Sequence, residues 1–146
     1  MTGMESIILD TNVLSELMRP EPEPVVMEWF AGRSGARFYV TAITEAEILL
    51  GIALLPAGKR RTVLAEAAET MFRLDFAGRS LPFDTVCAAQ YAAIVADRRR
   101  AGFSITTEDA QIASISLCNG YGLATRNIRD FLHIDGLVLL NPWDNV

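Results

Sequence analysis

Histidine and cysteine are scarce in this chain, which contains one histidine and two cysteines among 146 residues. A single histidine, His133, leaves little material for a serine–histidine–aspartate triad, and no nucleophile motif lies near it. Zinc prefers histidine and cysteine ligands, so their scarcity argues against a zinc site. Cys87 and Cys118 match no metal-binding or redox spacing, and we interpret them as reduced core thiols of a cytoplasmic protein.

Long apolar runs are also missing from the sequence. The longest, residues 48–55, contains Gly51 and stops at Pro56, whereas a membrane-spanning helix needs about 20 apolar residues. The first residues lack the basic start and the apolar stretch of a signal peptide. We therefore expect no association with a membrane.

An excess of positive charge is absent too, because 13 Lys and Arg residues stand against 18 Asp and Glu residues, for a net charge of −5. This argues against nonspecific nucleic-acid binding, which depends on Lys and Arg. It does not exclude a nuclease, since bound divalent cations reverse the local charge of a carboxylate cluster. Hydrophobic residues make up 51% of the chain, and we expect a single domain over residues 1–146.

Short apolar runs alternate with longer helical patterns along the chain. The runs at residues 6–9, 38–41, 123–125 and 137–140 predict strands, and residues 78–82 are interpreted as a link. Helices are predicted at residues 11–18, 24–32, 44–55, 59–74, 84–100, 106–119 and 127–132. The fourth of these is expected to bury one stripe, formed by Val63, Leu64, Ala67, Ala68, Met71 and Phe72. The alternation predicts an α/β fold, with a central parallel sheet of four or five short strands flanked by helices.

Asp10 directly follows the first predicted strand. Ligands of open α/β sheets bind at the carboxyl ends of the strands, which makes Asp10 a candidate ligand residue. The alternative is that Asp10 only caps the helix that follows it. Position alone leaves both interpretations open.

Glu47 lies within a mostly apolar helix. We expect it to share the buried face of that helix, formed by Ile43, Ala46, Leu50, Gly51 and Leu54. A buried carboxylate is costly unless it is paired or bound to a metal. The alternative is an acid at the edge of the helix that reaches solvent.

Asp109 and Asn127 complete the set of polar residues at the ends of elements. Asp109 shares a helix face with Ile112 and Ala113, although Thr106 and Asp109 also fit a capping box. Asn127 follows a strand, and with Asp130 it too fits a capping box. Carboxylates that converge on one place suit the hard cations Mg²⁺ or Mn²⁺.

These positions lie in segments that resemble the motifs of PIN domains. Ile8-Leu9-Asp10-Thr11-Asn12 resembles the opening strand of that family. Three later segments resemble the family's other acidic elements. The second element is resembled by Thr41-Ala42-Ile43-Thr44-Glu45-Ala46-Glu47, followed by Gly51, and the third by Thr107-Glu108-Asp109-Ala110-Gln111-Ile112-Ala113. The fourth is resembled by Ala124-Thr125-Arg126-Asn127, followed by Asp130-Phe131. Similarity to the FitB-like branch of the VapC toxins lies in Leu81-Pro82-Phe83-Asp84 and Asn141-Pro142-Trp143. The ordered set covers essentially the whole chain.

The resemblance implies a PIN fold, divalent-metal ribonuclease activity, a homodimer and a VapB-like antitoxin that inhibits the toxin. Asp10, Glu47 and Asp109 are then the catalytic and metal-binding residues. The cation, Mg²⁺ or Mn²⁺, would activate water for hydrolysis of an RNA phosphodiester. One departure from the family is Asn127, where many members have Asp, and Asp130 is the residue that can compensate.

Residues around the acids are candidates for binding RNA or orienting ligands. Thr11, Asn12, Asn127 and Thr107 can orient metal ligands or water. Arg126 and Arg129, which flank Asn127, are expected to receive the RNA backbone. The denser clusters at residues 59–61 and 98–100 are interpreted as solvated helix ends.

Two other functions fit parts of the pattern. A haloacid-dehalogenase-like phosphatase would use Asp10 as a nucleophile, but it needs a second Asp where Asn12 stands. A degenerate PIN fold would only bind RNA or a partner, and Asn127 is the residue that favours it.

Overall fold

The computed structural model describes residues 4–144, which contain a five-stranded parallel sheet. Its strands are β1 (Ser6–Leu9), β2 (Arg37–Thr41), β3 (Ser80–Leu81), β4 (Gly122–Ala124) and β5 (Leu139–Leu140). Their order across the sheet is β3-β2-β1-β4-β5, and every neighbouring pair is parallel. The predicted α/β fold with a central parallel sheet is confirmed.

Six α-helices cover this sheet in the described part of the chain. They are α1 (Thr11–Leu17), α2 (Pro24–Ala31), α3 (Ala42–Ala53), α4 (Lys59–Thr70), α5 (Thr85–Arg100) and α6 (Thr107–Asn119). A π-helical turn (Met71–Asp75) extends α4, and a 3₁₀ turn (Ile128–Phe131) follows β4. No helix within residues 4–144 has the length and apolar character needed to cross a membrane.

Alternating side chains of β1 divide the core into two layers, because successive residues of a strand point to opposite faces. Ile7 and Leu9 pack with Trp29 of α2 and with residues of α3 and α4. Ile8 packs in the other layer, with residues of α5 and α6. Both faces of β1 are therefore covered, which accounts for its uninterrupted apolar sequence.

Three assignments made from the sequence were wrong: the start of one helix, a missed strand, and the start of the last strand, which is Leu139 rather than Leu137. Helix α3 begins at Ala42 rather than Thr44, because the Thr41 hydroxyl accepts the N–H of Thr44 and so caps the helix from the last residue of β2. The predicted link at residues 78–82 contains β3, which pairs with the end of β2. A strand of two residues is too short to show alternation in sequence.

The stripe predicted over residues 59–74 is buried only in part. Ala68 and Phe72 are buried, whereas Val63 is 51% exposed. Leu64 and Met71 lie between these extremes and pack at the margin of the core. The π-helical turn changes the angular spacing after Thr70, so a stripe with one constant period does not describe the whole segment.

Arg98 corrects the interpretation of residues 98–100 as a solvated helix end. Its side chain is buried and donates hydrogen bonds to the carbonyl oxygens of Leu132 and Ser104. Arg99 and Arg100 are exposed. Arg98 therefore connects the end of α5 to the segment after the 3₁₀ turn, a structural role that its charge alone does not reveal.

Candidate active site

Asp10 is both a helix cap and a buried carboxylate. Its Oδ1 accepts the N–H of Thr11 at 2.8 Å, and its Oδ2 accepts the hydroxyl of Thr125 at 2.8 Å. Burial raises the pKa of the Asp10 carboxyl, although these two hydrogen bonds oppose the rise. The nearby charges of Glu47 and Asp130 raise the same pKa further. The two interpretations left open by the sequence are therefore compatible.

Thr125 joins the end of β4 to the start of α1. Besides donating to Asp10, its hydroxyl oxygen accepts the N–H of Asn127 at 3.1 Å and the side-chain amide of Asn12 at 3.4 Å. The Asn12 side chain in turn accepts the N–H of Arg126 at 3.2 Å. The predicted residues Asn12 and Asn127 thus both bond to Thr125, and these contacts shape the loop beside Asp10.

Glu47 reaches the site from solvent, so its predicted burial was wrong. The buried face of α3 is Thr44, Ile48 and Ile52, and the Glu47 side chain is exposed. Leu50, predicted to be buried beside it, is 59% exposed. Because α3 is apolar almost all round, hydrophobic spacing does not determine which face meets the sheet.

A line of hydroxyl groups connects Glu47 to the protein interior. The Thr11 hydroxyl donates to Glu47 Oε1 at 2.8 Å and lies 2.9 Å from the Thr44 hydroxyl. Thr11 has one hydroxyl proton, so when it donates that proton to Glu47 it must accept one from Thr44. Thr44 is fully buried. The Glu47 carboxylate can only accept, so it sets the direction of both hydrogen bonds, and Thr44 anchors Thr11 from the interior.

Asp109 stands in the first turn of α6, where the Thr106 hydroxyl accepts its N–H at 3.1 Å. Burial, followed by the charge of Asp10, raises the pKa of the Asp109 carboxyl to about 6. A hydrogen bond from Thr106 opposes this rise, whereas Asp130 and Glu47 add to it. Asp109 is therefore a cap-region residue whose carboxyl lies in the negative field of the other acids.

Asp130, rather than Asn127, supplies a fourth negative charge. Asn127 occupies the capping position of the 3₁₀ turn, but its exposed side chain makes no capping hydrogen bond. The charge of Asp130 raises the pKa of both Asp10 and Asp109. The predicted capping box thus does not form through side chains, and the acid three residues later acts electrostatically on Asp10 and Asp109.

Two threonines at the site were not among the predicted site residues. Thr44 and Thr125 are fully buried, and their hydroxyls bond to Thr11 and Asp10. A threonine at the carboxyl end of a strand beside an acid is the signal that indicates Thr125. Thr107, by contrast, is exposed at the start of α6.

The two predicted RNA-binding arginines lie beside the acids. Arg126 and Arg129 line an open cleft of about 580 Å³ together with Asn127, Ile128, Asp130 and Leu132. The cleft therefore carries positive charge at the rim of the carboxylate site.

The donors at this site are oxygen atoms, as a hard divalent cation requires. Asp10 and Asp109 carry raised pKa values that reflect burial first and the charges of neighbouring acids second, and a divalent cation would relieve the repulsion among these charges. Within residues 4–144, no group of three or more His, Cys, Asp and Glu side chains is placed so that all of them could hold one metal ion directly. The residues fit a cation that keeps several water ligands, which is the usual habit of Mg²⁺.

Comparison with known proteins gives a consistent result. The family model of the PIN domain matches residues 7–137. The plasmid stability protein StbB of Pseudomonas syringae pv. tomato is 44% identical, over 94% of this chain and 99% of its own. Toxin FitB of Neisseria gonorrhoeae and VapC ribonuclease Y4jK of Sinorhizobium fredii are 41% and 39% identical, each over 94% of this chain and 98% of its own.

A solved structure of FitAB bound to a DNA fragment has the same fold. It matches with a TM-score of 0.87 and 40% sequence identity, and the match covers 96% of this chain and 97% of the other.

Neutralising Asp109 should stabilise the protein when no divalent cation is present. The folded-state pKa of about 6 lies above the ordinary value of 3.8. The folded state therefore binds this proton more tightly than the unfolded state, and the contribution of Asp109 to stability falls as pH rises between these values. We expect Asp109→Asn in EDTA to melt at a higher temperature than wild type at pH 7, with the difference narrowing toward pH 4.

The control is Glu108→Gln, which removes an exposed charge from the same helix turn. Its melting temperature should follow the wild-type pH dependence. Parallel curves for wild type and Asp109→Asn would contradict the electrostatic description of the site.

Proposed function

The chain belongs to the PIN domain family, and from this membership we propose that its carboxylate site hydrolyses RNA phosphodiester bonds with a bound Mg²⁺ or Mn²⁺ ion. The protein is a ribonuclease of the toxin class, like its relatives named VapC ribonuclease and toxin FitB. The observation that carries the proposal is the gathering of Asp10, Glu47, Asp109 and Asp130. Thr11 bonds to both Asp10 and Glu47, and after burial the charges of the neighbouring acids raise the pKa values of Asp10 and Asp109.

The proposed cation site uses Asp10, Glu47 and Asp109 as ligands, directly or through water. PIN-domain ribonucleases generally depend on divalent metals. When bound, the cation supplies activation of water and neutralises negative charge on the phosphate. Asp130 adds negative charge that strengthens the attraction for a cation.

The other residues hold these groups in place and receive the substrate. The Thr125 hydroxyl fixes one oxygen of Asp10, and Thr11 with Thr44 fixes one oxygen of Glu47. We assign Asn12 to the support of the loop that carries Arg126, and Asn127 to contact with substrate or water. Arg126 and Arg129 provide positive charge for the RNA backbone, which an acidic protein otherwise lacks.

The protein pairs with an antitoxin, in keeping with its resemblance to FitAB. We propose that an antitoxin segment occupies the groove between α1, α3 and α4. This groove has a volume of about 460 Å³ and runs from Thr11 and Glu47 over the apolar side chains of Met18, Ile52 and Leu64. A segment in the groove would contact Glu47 and so obstruct the site. We place the protein in the cytoplasm, where its RNA substrates are.

Asp109→Asn should reduce RNA cleavage at least ~100-fold, about 2.7 kcal/mol of transition-state stabilisation. The amide keeps the shape of the side chain but removes the charge that would hold the cation. The measurement is cleavage of a labelled RNA in Mn²⁺, with EDTA added to a parallel sample.

Glu108→Gln is the matched control and should cleave within about twofold of wild type. Cleavage that persists in EDTA would contradict the metal-dependent mechanism. Absence of cleavage by wild type on any RNA, with Mn²⁺ binding retained, would favour the degenerate, non-catalytic alternative.

Asp130→Asn should weaken Mn²⁺ binding about tenfold, because it removes one of four carboxylates around the cation. Asn127→Asp should have the opposite effect, since it adds a negative charge to the same loop. Both effects should appear in the rise of the melting temperature caused by Mn²⁺.

Asp135→Asn is the control for loss of one surface carboxylate on the segment that follows the 3₁₀ turn. If Asp130→Asn and Asp135→Asn show equal Mn²⁺-induced shifts, Asp130 has no part in the site.

We propose that the protein forms a homodimer through the outer face of α3. This face presents Ala46 and Leu49, and it includes Leu50 and Leu54, which are 59% and 75% exposed. Exposed apolar side chains at helical spacing favour burial against a second copy. Sedimentation at micromolar concentration should show about twice the chain mass of 16.0 kDa. Leu50→Lys should shift the protein to monomer, and a monomeric wild type would refute the proposal.

A further inference from the structure

The side chain of Arg126 lies on the indole ring of Trp143. The guanidinium carbon is 4.8 Å from the centroid of the ring, within the range in which a cation is attracted to an aromatic face. Arg126 comes from the loop after β4, and Trp143 from the segment after β5. Two separate elements therefore meet at the rim of the carboxylate site.

Trp143 is a fixed support for this arginine. The backbone N–H of Trp143 donates to the side-chain oxygen of Asn141 at 2.9 Å, and Pro142, which lies between these two residues in the chain, is buried. The ring packs against the core layer that contains Leu9. Its indole N–H is buried and has no acceptor among residues 4–144. The ring is thus set into the protein by packing, with a face available to Arg126.

The backbone of Arg126 is fixed as well. Its N–H donates to the Asn12 side chain at 3.2 Å, and the preceding N–H, of Thr125, donates to the Leu140 carbonyl at 2.9 Å. The arginine therefore starts from a fixed Cα and ends on a fixed ring, so little conformational entropy remains for a ligand to remove.

Glu16 is a negatively charged neighbour of Arg126, but its carboxylate bonds to other groups rather than to the Arg126 guanidinium. The pKa of the Glu16 carboxyl is lowered first by the N–H of Glu23, and further by Arg19 and by the charge of Arg126. The carboxylate oxygens bond to Arg19 and to the N–H of Glu23. Among residues 4–144, no acceptor receives a hydrogen bond or ion pair from the Arg126 guanidinium. Its N–H donors are therefore oriented but unused.

We propose that Trp143 is a positioning residue that presents Arg126 as a preformed phosphate-binding group for the RNA chain. The inference rests on the proposed ribonuclease function. The guanidinium fork suits two phosphate oxygens, and the cleft lined by Arg126 and Arg129 opens beside Asp130. RNA that enters the carboxylate site would therefore place a backbone phosphate on Arg126.

The test measures RNA binding in protein that carries Asp109→Asn, so that the RNA stays intact. The probe is a short, fluorescein-labelled single-stranded RNA, and its anisotropy is followed in Mg²⁺ at several salt concentrations. Arg126→Gln should raise Kd about three- to tenfold. It should also lower the slope of log Kd against log salt by about 0.7, the value for one phosphate contact to a single strand.

Trp143→Leu should raise Kd about two- to fivefold, in line with loss of a cation–π contact at an exposed site. Trp143→Phe retains an aromatic face and should restore binding to within about twofold. Combining Arg126→Gln with Trp143→Leu should weaken binding no more than Arg126→Gln alone, because the tryptophan acts through the arginine.

Arg33→Gln is the matched control, because Arg33 also lies on a tryptophan ring, 4.1 Å from the centroid of Trp29, but on α2. Equal Kd values for Arg33→Gln and Arg126→Gln would overturn the inference, and so would additive losses in the double variant. If Trp143→Leu fails to fold, the Kd values and salt slopes of Arg126→Gln and Trp143→Phe still test whether Arg126 contacts a phosphate and whether an aromatic ring at residue 143 suffices. Wild type that binds RNA but does not cleave it would refute the proposed function and leave this inference standing.

Discussion

Repulsion between carboxylates gathered at one edge of a parallel sheet is the constraint on which the rest of this site depends. Burial first, and the charges of neighbouring acids second, raise the pKa values of Asp10 and Asp109, so holding both carboxyls ionised is unfavourable in the folded protein. Three threonine hydroxyls hold the acids against that repulsion: Thr125 on Asp10, and Thr11 with Thr44 on Glu47. These contacts hold carboxylates of like charge near one another.

The fold was predictable where the sequence pattern is compatible with only one local backbone structure. The apolar run of β1 and the prolines and caps around the helices gave four of the five strands and the six helices, because each feature restricts the backbone locally. Strand β3 was missed, since two residues carry no pattern and only pairing with β2 makes them a strand. The buried face of α3 was also wrong, because its sequence is apolar on nearly every side.

The sequence pointed to the acids of the proposed site more readily than to the groups that support them. Asp10 and Asp109 were proposed from their positions at the ends of elements, and Glu47 from an expected burial that the structure does not show. Their charges nevertheless act on one another, since Asp10 and Glu47 both raise the pKa of Asp109. The roles of Thr44 and Asp130 depend on tertiary placement: one is a buried hydroxyl from α3, and the other is an acid at the end of a turn. Neither local spacing nor residue type carries that information.

The link between Asp10 and Thr125 joins residues 115 positions apart in the chain. Contacts of such long range form late, because the chain must first pay the entropy of closing a large loop. During synthesis, β1 and α1 leave the ribosome well before β4 can pair with β1. A partly made chain therefore holds Asp10 without its partner hydroxyl and without the arginine of the same loop. The acids of the proposed site, the Thr125 hydroxyl and Arg126 consequently come together only after nearly all of the chain has been translated.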